Sequence, residues 1–309
     1  ILTICWRNIK NMYLVINLGL KSIRGIVFDK NGDQKYAKSY LVHTTMLGKI
    51  IEQNAEEWKI LFNRILFNLS KRTDLINQIS SVTVTTSSSC ILGVGENGKI
   101  LTKVLMVSDK RSNQEVSEIS NNQYFQNLKR KPFNSTSSTI PKILWFKNND
   151  KKAFKNVKIW IGAGEYLTFL LTGFFFTDPL NASKAFHNGK DYEKIVLKNL
   201  GIDIKTLPEV KQIGHISPIH HSLKKEFGFS QNTTFVLTTY DAICAVIGSS
   251  DGKNTTAADV SGTVTSIRII SDTVKETSET HETLLTQEIK LINKFLIGSS
   301  NNLGGGIIE

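Results

Sequence analysis

The residues VINLGLKSIRGIVFD (Val15–Asp29) consist of two β-prone runs on either side of a turn that contains Gly19. The apolar residues before the turn predict one strand, and the alternation over Ile23–Asp29 predicts a second strand that pairs with it. A third strand is expected over Tyr36–His43. The start of the chain therefore predicts an antiparallel meander with a glycine in its first turn.

Helices and strands alternate after this meander, as in an α/β protein. Asn54 is expected to cap a helix whose apolar face runs from Trp58 to Leu69, with Glu57 at capping-box spacing. The later elements predicted along the chain are a strand over Ser81–Thr86, helices near Pro141–Trp145, Gly164–Leu171 and Asp191–Leu200, and a strand over Thr234–Thr238 that leads into a helix from Ala242.

The pattern of the first turn returns near the end of the chain. Ala257–Ser261, Gly262 and Val264–Ile270 again predict a strand, a glycine turn and a strand. The tripeptide Ser-Ile-Arg follows both turns, in Gly19–Arg24 and, with one residue inserted, in Gly262–Arg268. The shared context indicates a duplicated unit, and chance similarity of a tripeptide is the alternative.

Composition and charge exclude several classes of protein. The 309 residues are 40% hydrophobic, which excludes disorder, collagen and coiled coil. The longest apolar candidate, Tyr166–Phe176, is interrupted by polar residues and is shorter than the roughly 20 residues of a bilayer span, so no membrane association is expected. Cys5, Cys90 and Cys244 lack metal-site or redox spacing, which favours a cytoplasmic setting.

The excess of basic residues gives the chain a formal charge of +11. Nine Lys or Arg residues lie within Asn122–Trp160, a density that invites a nucleic-acid interpretation. No nucleic-acid-binding motif accompanies them, so we favour a solvated basic face and expect no nucleic-acid partner. The sequence leaves open whether the chain forms a homodimer.

A glycine turn between two strands can direct several backbone N–H groups at one anion. Lys21 and Ser22 in the first turn, and Thr263 in the second, add a cation and hydroxyl groups suited to phosphoryl oxygens, although an ordinary hairpin is the alternative. Asp241 directly follows a predicted strand and precedes a helix of small residues. Such a carboxylate could accept a proton from a hydroxyl, or it could cap the helix.

Taken together, these segments of the chain resemble the FGGY carbohydrate kinases, which belong to the sugar kinase, Hsp70 and actin superfamily. The similar segments keep the family's order and spacing; they are Val15–Asp29, Glu52–Trp58, Val82–Arg111, Pro141–Lys147, Gly164–Gly173, Thr177–Ser183, Tyr240–Ser249, Val260–Arg268 and Gly298–Ile307. The resemblance implies an RNase H-like (actin-like ATPase) fold, with a mixed sheet flanked by helices and two related domains. It also implies ATP- and Mg²⁺-dependent phosphorylation of a small-molecule sugar or polyol.

The resemblance also assigns roles to residues. Asp241 matches the general base and a substrate-binding position. The remaining matches are the first phosphate loop at Gly19, Leu20, Lys21, Ser22 and Arg24, the second phosphate loop at Gly262 and Thr263, sugar-contacting positions at Ser87, Ser88 and Ser89, and an acidic and basic pair near the sugar at Asp109 and Arg111.

Departures from the family pattern raise a second hypothesis. Asn17 stands where relatives carry an aspartate that helps to hold magnesium, so the shape is kept and the charge is lost. Relatives continue well past Glu309, so we expect an extension (1–11), an N-terminal kinase domain (12–250) and the incomplete beginning of a C-terminal domain (251–309). The alternative to an active kinase is a catalytically impaired or truncated sugar-binding or regulatory relative.

Overall fold

The computed structural model describes residues 12–249, 257–261, 265–273, 285–289 and 294–301. The described strands are β1 (Met12–Leu18), β2 (Ser22–Phe28), β3 (Gln34–Leu41), β4 (Thr45–Leu47), β5 (Ile50–Gln53), β6 (Ile79–Thr86), β7 (Leu92–Val94), β8 (Val104–Leu105), β9 (Ile159–Ile161), β10 (Phe176–Thr177), β11 (Glu209–Val210), β12 (Ile216–Pro218), β13 (Thr234–Val236), β14 (Ala257–Ser261), β15 (Thr265–Ser271), β16 (Leu285–Ile289) and β17 (Lys294–Asn301).

The α-helices of the same residues alternate with these strands. They are α1 (Ala55–Ser70), α2 (Thr73–Ile76), α3 (Asn113–Ser120), α4 (Gln123–Gln126), α5 (Thr139–Asn149), α6 (Lys151–Asn156), α7 (Ala163–Thr172), α8 (Pro179–Ser183), α9 (Lys194–Asn199), α10 (His221–Phe227) and α11 (Asp241–Ser249). No helix in the described ranges has the length and apolar character that crossing a membrane requires.

The chain divides into two compact units, the first ending at Thr238 and the second beginning at Thr239. In the described part of the first unit, six strands form the main sheet in the order β12-β13-β6-β1-β2-β3. The pairs β1–β2 and β2–β3 are antiparallel, whereas β6 pairs parallel with β1 and β13 pairs parallel with β6. The expected meander and the expected mixed sheet are therefore both confirmed.

Helix α1 covers one face of this sheet. Its Trp58 and Ile65 are fully buried, as are Leu14 and Ile16 of β1. The helix approaches β2 so closely that a Cβ atom on Gly25 would lie 2.3 Å from Ile65 Cγ2. The backbone of β2 therefore reaches the helix where a side chain would obstruct it.

The start of α1 confirms one predicted cap and corrects another. The side chain of Asn54 accepts a hydrogen bond from the amide of Glu56 at 3.1 Å, as an N-cap residue does. Glu57 does not complete the capping box, because its carboxylate accepts from the amide of His43 at 3.2 Å. The acidic side chain therefore ties the end of the meander to the helix.

Residues 87–233, which we call the insert, lie between β6 and β13 and contain a second hydrophobic cluster. The cluster includes buried side chains from α5, β9 and α9, among them Ile140, Leu144, Trp160 and Leu197. Helix α7 ends at Gly173, which adopts a left-handed backbone with φ +80°, as the sequence predicts. The insert therefore has a core of its own beside that of the main sheet.

The second unit contains α11 and the last four described strands. These strands pair antiparallel in the order β14-β15-β17-β16. The strands predicted before and after Gly262 are confirmed as β14 and β15. Gly262 and Thr263 themselves lie outside the described residues, so their assignment as a second phosphate loop stays a prediction.

Candidate active site

The turn between β1 and β2, Gly19–Ser22, is held by backbone and side-chain hydrogen bonds. The amide of Gly19 donates to the carbonyl of Ser22 at 3.0 Å and closes the turn. The carbonyl of Leu20 accepts from Gln53 Nε2 at 2.8 Å and from Thr44 Oγ1 at 3.3 Å. We call Gly19–Ser22 the glycine turn; the carbonyls of Leu20, Lys21 and Ser22 all accept hydrogen bonds within the protein.

The side chains of the glycine turn divide between the core and the solvent. Leu20 packs against the main hydrophobic cluster, whereas Lys21 is exposed. Beyond the turn, Arg24 is exposed and its Nε donates to Ser22 Oγ at 3.1 Å. The turn therefore carries the exposed Lys21 side chain, whereas the Ser22 hydroxyl is buried beside Arg24 and Leu20 packs into the core.

Gln53 is a functional candidate that the sequence analysis missed. It is 3% exposed, and its Oε1 accepts from the indole N–H of Trp58 at 2.8 Å while its Nε2 donates to Leu20 and Thr44. The side-chain amide thereby connects α1 to the glycine turn. Its position in the family-like segment Glu52–Trp58 was the available signal, but the partners of an amide are not visible in a sequence.

The residues Ser87–Ser89, which we call the serine loop, follow β6 directly. The amide of Ser87 donates to the carbonyl of Leu18 at 3.1 Å, so the loop lies beside the end of β1. This proximity arises because β1 and β6 are parallel neighbours, which brings their carboxyl ends to one edge of the sheet. The structure therefore brings together the first predicted phosphate loop and the three predicted sugar-contacting serines.

Lys142 lies behind the serine loop on α5 and is fully buried. Its Nζ donates to the carbonyl of Ser89 at 2.8 Å and to that of Val107 at 3.4 Å. Burial lowers the pKa of Lys142 to about 8, against the opposing effects of Cys90 and Asp109. No role was predicted for this lysine from the sequence.

Asp109 and Arg111 form a clamp whose groups satisfy one another. The carboxylate of Asp109, 0% exposed, accepts from the amide of Ile51 at 2.8 Å and from the amide and Nε of Arg111 at 3.0 and 3.1 Å. Arg111 also pairs with Glu52 at 3.0 Å and lies over the ring of Trp145 at 4.8 Å. The pair therefore joins β5 to the segment after β8, and contact with a sugar stays a prediction.

Asn17 was expected at a magnesium position. Its Nδ2 donates to the carbonyl of Thr85 at 3.4 Å, so the amide bridges β1 and β6. Mg²⁺ is usually held in proteins by one or two carboxylates together with substrate phosphates. Asn17 supplies no charge, and within the described ranges no three His, Cys, Asp or Glu residues come together as a metal site. Asn17 therefore offers a neutral amide, and no carboxylate, at the position where magnesium was expected.

Asp241 belongs to the second unit, where it is the first residue of α11. Burial raises the pKa of Asp241 above its ordinary value of 3.8, although the amide of Ala242, which donates to its Oδ1 at 2.7 Å, opposes the shift. A carboxyl with a raised pKa holds a proton more readily, as a general base requires. The bond to Ala242 shows that the same residue also satisfies the start of the helix.

A small cavity lies behind the serine loop in the first unit. Its volume is about 30 Å³, enough for a water molecule, and Ser87, Ser89 and Glu165 contribute to its lining. Glu165 accepts from the amide of Gly162 at 2.9 Å and from the hydroxyl of Thr177. Burial raises the pKa of Glu165, and these hydrogen bonds oppose the shift.

Comparison with protein families finds one match over most of the chain. The N-terminal domain of the FGGY family of carbohydrate kinases matches residues 12–248. The chain is 26% identical over 273 residues to the gluconokinase of Bacillus subtilis, covering 84% of this chain and 52% of that protein. It is 22% identical over 272 residues to the xylulose kinase of Staphylococcus xylosus, covering 83% and 55%. The chain thus spans about half the length of these relatives.

Solved structures show the same fold. The gluconate kinase of Lactobacillus acidophilus superimposes with a TM-score of 0.82 at 23% identity, covering 96% of this chain and 61% of that one. The xylulose kinase of Rhodospirillum rubrum superimposes with a TM-score of 0.83 at 15% identity, covering 96% and 61%. The expected RNase H-like, actin-like fold is therefore confirmed.

Proposed function

The chain belongs to the FGGY family of carbohydrate kinases, and we propose that it transfers the γ-phosphoryl group of ATP to a hydroxyl group of a sugar or polyol. The observation that supports this most directly is the hydrogen bond from the amide of Ser87 to the carbonyl of Leu18. It holds the glycine turn and the serine loop side by side. Phosphate-binding and hydroxyl-binding groups must be neighbours in any enzyme that joins the two.

We assign the phosphates to the glycine turn. Backbone N–H groups of a tight turn, the Lys21 ammonium and the Ser22 hydroxyl are donors of the kind that bind phosphoryl oxygens. Arg24 adds a second positive charge beside Ser22. The turn keeps its shape through Gln53 and Thr44, so its donors require little reorganisation when the anion binds.

We assign the sugar to the serine loop. Ser87 and Ser88 are half-buried, and each hydroxyl both donates and accepts hydrogen bonds, as recognition of a polyhydroxylated molecule requires. The names of the relatives, xylulose kinase and gluconokinase, indicate open-chain five- and six-carbon substrates as the first compounds to test.

We assign the proton transfer to Asp241. In the proposed step, the Asp241 carboxylate accepts the proton of the substrate hydroxyl while that oxygen forms a bond to the γ-phosphorus. The bond between the γ-phosphorus and the β–γ bridging oxygen breaks, and its electron pair leaves with ADP. The raised pKa of Asp241 suits it to holding the proton during transfer.

A second function is favoured by Asn17. A neutral amide in place of a carboxylate, engaged with the carbonyl of Thr85, suits a relative that binds sugar without transferring phosphate. The two functions differ in their response to Asn17→Asp. In a chain completed at its C-terminus, a kinase already releases ADP before this change, whereas a catalytically impaired relative does not.

The test combines sugar binding with turnover. Binding of D-xylulose, D-gluconate and glycerol is measured by calorimetry, and sugar-dependent ADP release is measured for the unchanged chain, for Asp241→Asn and for Asp150→Asn. Asp150 is the matched control because it also bonds an amide at a helix start, that of Ala153 at 3.0 Å. We expect Asp241→Asn alone to abolish ADP release while leaving sugar binding in place. Turnover retained in Asp241→Asn would remove it from the base role.

A further inference from the structure

Lys142 carries a charge in a place where charges are costly. The residue is 0% exposed, and an ammonium in such surroundings needs hydrogen-bond acceptors to compensate for the water it has lost. Its two acceptors are both backbone carbonyls, those of Ser89 and Val107. A side chain that only filled space at this position would not need a charge. We therefore interpret the ammonium as the group that holds the segments of Ser89 and Val107 in place.

The serine loop needs such a restraint. Ser89 has φ +60°, the left-handed region that residues other than glycine rarely adopt. The start of the loop is held by the bond from the Ser87 amide to Leu18, and the Ser87 hydroxyl lies 3.3 Å from Cys90 Sγ. At its end, the carbonyl of Ser89 is held by Lys142 at 2.8 Å. The loop is thus fixed at both ends, and Lys142 supplies the second fixed point.

The same ammonium reaches the segment that carries the Asp109–Arg111 clamp. Val107 stands two residues before Asp109, and the amide of Asp109 donates to the carbonyl of Met106 at 3.1 Å. Asp109 is close enough to Lys142 to favour its charged form. Lys142, which lies on α5, therefore connects two other segments that the family resemblance places near the sugar.

We propose that Lys142 is a positioning residue that holds the serine loop in the conformation required to bind the sugar. The inference rests on the proposed function for the identity of the ligand. The role of Lys142 in fixing the conformation of the loop is independent of the proposed function, because that conformation is measurable without any ligand. Lys142 acts through Ser89 and is not assigned a contact with the substrate.

The test compares Lys142→Met with Lys147→Met. Lys147 lies on the same helix, and its Nζ also donates to a backbone carbonyl, that of Leu200 at 2.6 Å, away from the serine loop. Hydrogen exchange is measured by mass spectrometry on the peptide that contains residues 86–91, and D-xylulose and D-gluconate affinities are measured by calorimetry. We expect exchange in this peptide and the sugar Kd each to increase about tenfold or more in Lys142→Met and about twofold or less in Lys147→Met.

Two outcomes would overturn the proposal. One is unchanged exchange of residues 86–91 in folded Lys142→Met; the other is an equal loss of sugar affinity in both variants. If the unchanged chain binds none of D-xylulose, D-gluconate and glycerol, that result counts against the proposed function, and the exchange comparison still decides whether Lys142 holds the loop. If Lys142→Met does not fold, Lys142→Gln, which keeps an N–H donor group on an uncharged side chain, replaces it, and exchange of residues 86–91 no faster than in the unchanged chain would overturn the proposal.

Discussion

The side-chain amide of Gln53 donates a hydrogen bond of 2.8 Å to the backbone carbonyl of Leu20. The two residues lie 33 positions apart in the sequence, one on β5 and the other in the glycine turn. Because Gln53 also accepts from the indole of Trp58, a single buried amide determines how α1 and the turn sit against each other.

Replacing Gln53 with leucine should therefore destabilise the protein. The apolar side chain has a similar size, but it leaves the Trp58 N–H without its acceptor and removes a donor from Leu20. We expect the free energy of unfolding to fall by about 2 kcal/mol, measured by urea unfolding. Gln126→Leu is the control, because Gln126 is exposed and its side-chain amide donates to the carbonyl of Ser120 at the surface. An equal effect of both changes would contradict the role assigned to Gln53.

Breaking the Asp109–Arg111 clamp should lower the free energy of unfolding by more than the change at Gln53 does. Asp109→Asn replaces an acceptor oxygen with a donor that faces other donors, and it leaves Arg111 with Glu52 as its ion-pair partner. We expect the free energy of unfolding to fall by about 3 kcal/mol. Asp74→Asn is the control, because it breaks an exposed pair with Arg72 and should leave stability nearly unchanged. A clamp variant as stable as the unchanged protein would show that the buried pair is dispensable.

Glu165 predicts a dependence of stability on pH. The pKa of its carboxyl is higher in the folded protein than its ordinary value of 4.5, so its contribution to stability is fully present below pH 4.5. That contribution is lost as the pH rises through the folded pKa. Glu165→Gln keeps an acceptor for the Gly162 amide without the charge. We expect the Tm of this variant relative to the unchanged protein to be higher at pH 7.5 than at pH 5; the reverse order would contradict the sign.

The contribution of Lys142 to stability should change with pH in the opposite direction, increasing as the pH rises in the alkaline range. Its pKa is about 8 when folded and 10.5 ordinarily, so between these values the unfolded chain binds more protons and stability gains with rising pH. The gain from this residue is at most roughly 1.4 kcal/mol per pH unit. The measurement is the difference in the free energy of unfolding between the unchanged protein and Lys142→Met, followed from pH 8 to 10.5. Cys90 and Asp109 oppose the effect of burial on the pKa of Lys142. A constant difference from pH 8 to 10.5 would contradict it.

Local patterns were sufficient to predict much of the fold. The alternation over Val15–Asp29 and its glycine predicted β1 and β2, and the left-handed Gly173 ends α7 as expected. Family membership also followed from the sequence. The helix predicted over Asp191–Leu200 is shorter, because Asn188 and Asp191 form a hydrogen-bonded turn and α9 starts only at Lys194.

The candidate site was only partly predictable. The glycine turn was predicted from its residues and the serine loop from the family resemblance, and the parallel pairing of β1 with β6 brings the two segments together. The sequence did not reveal the roles of Gln53 and Lys142, because the carbonyls of Leu20 and Ser89 to which they donate lie 33 and 53 residues away. The direction of a carbonyl depends on the folded backbone, and no residue type at either end signals such a contact.

The position of β13 beside β6 also constrains how the protein folds. Thr83 donates to the carbonyl of Val236 at 2.9 Å across a separation of 153 residues. Contacts between residues so far apart close a long loop, and chains rich in such contacts fold slowly. The insert has its own cluster of buried side chains, so it can collapse locally and shorten the loop before β13 pairs. We therefore expect β13 to be among the last strands to join the main sheet.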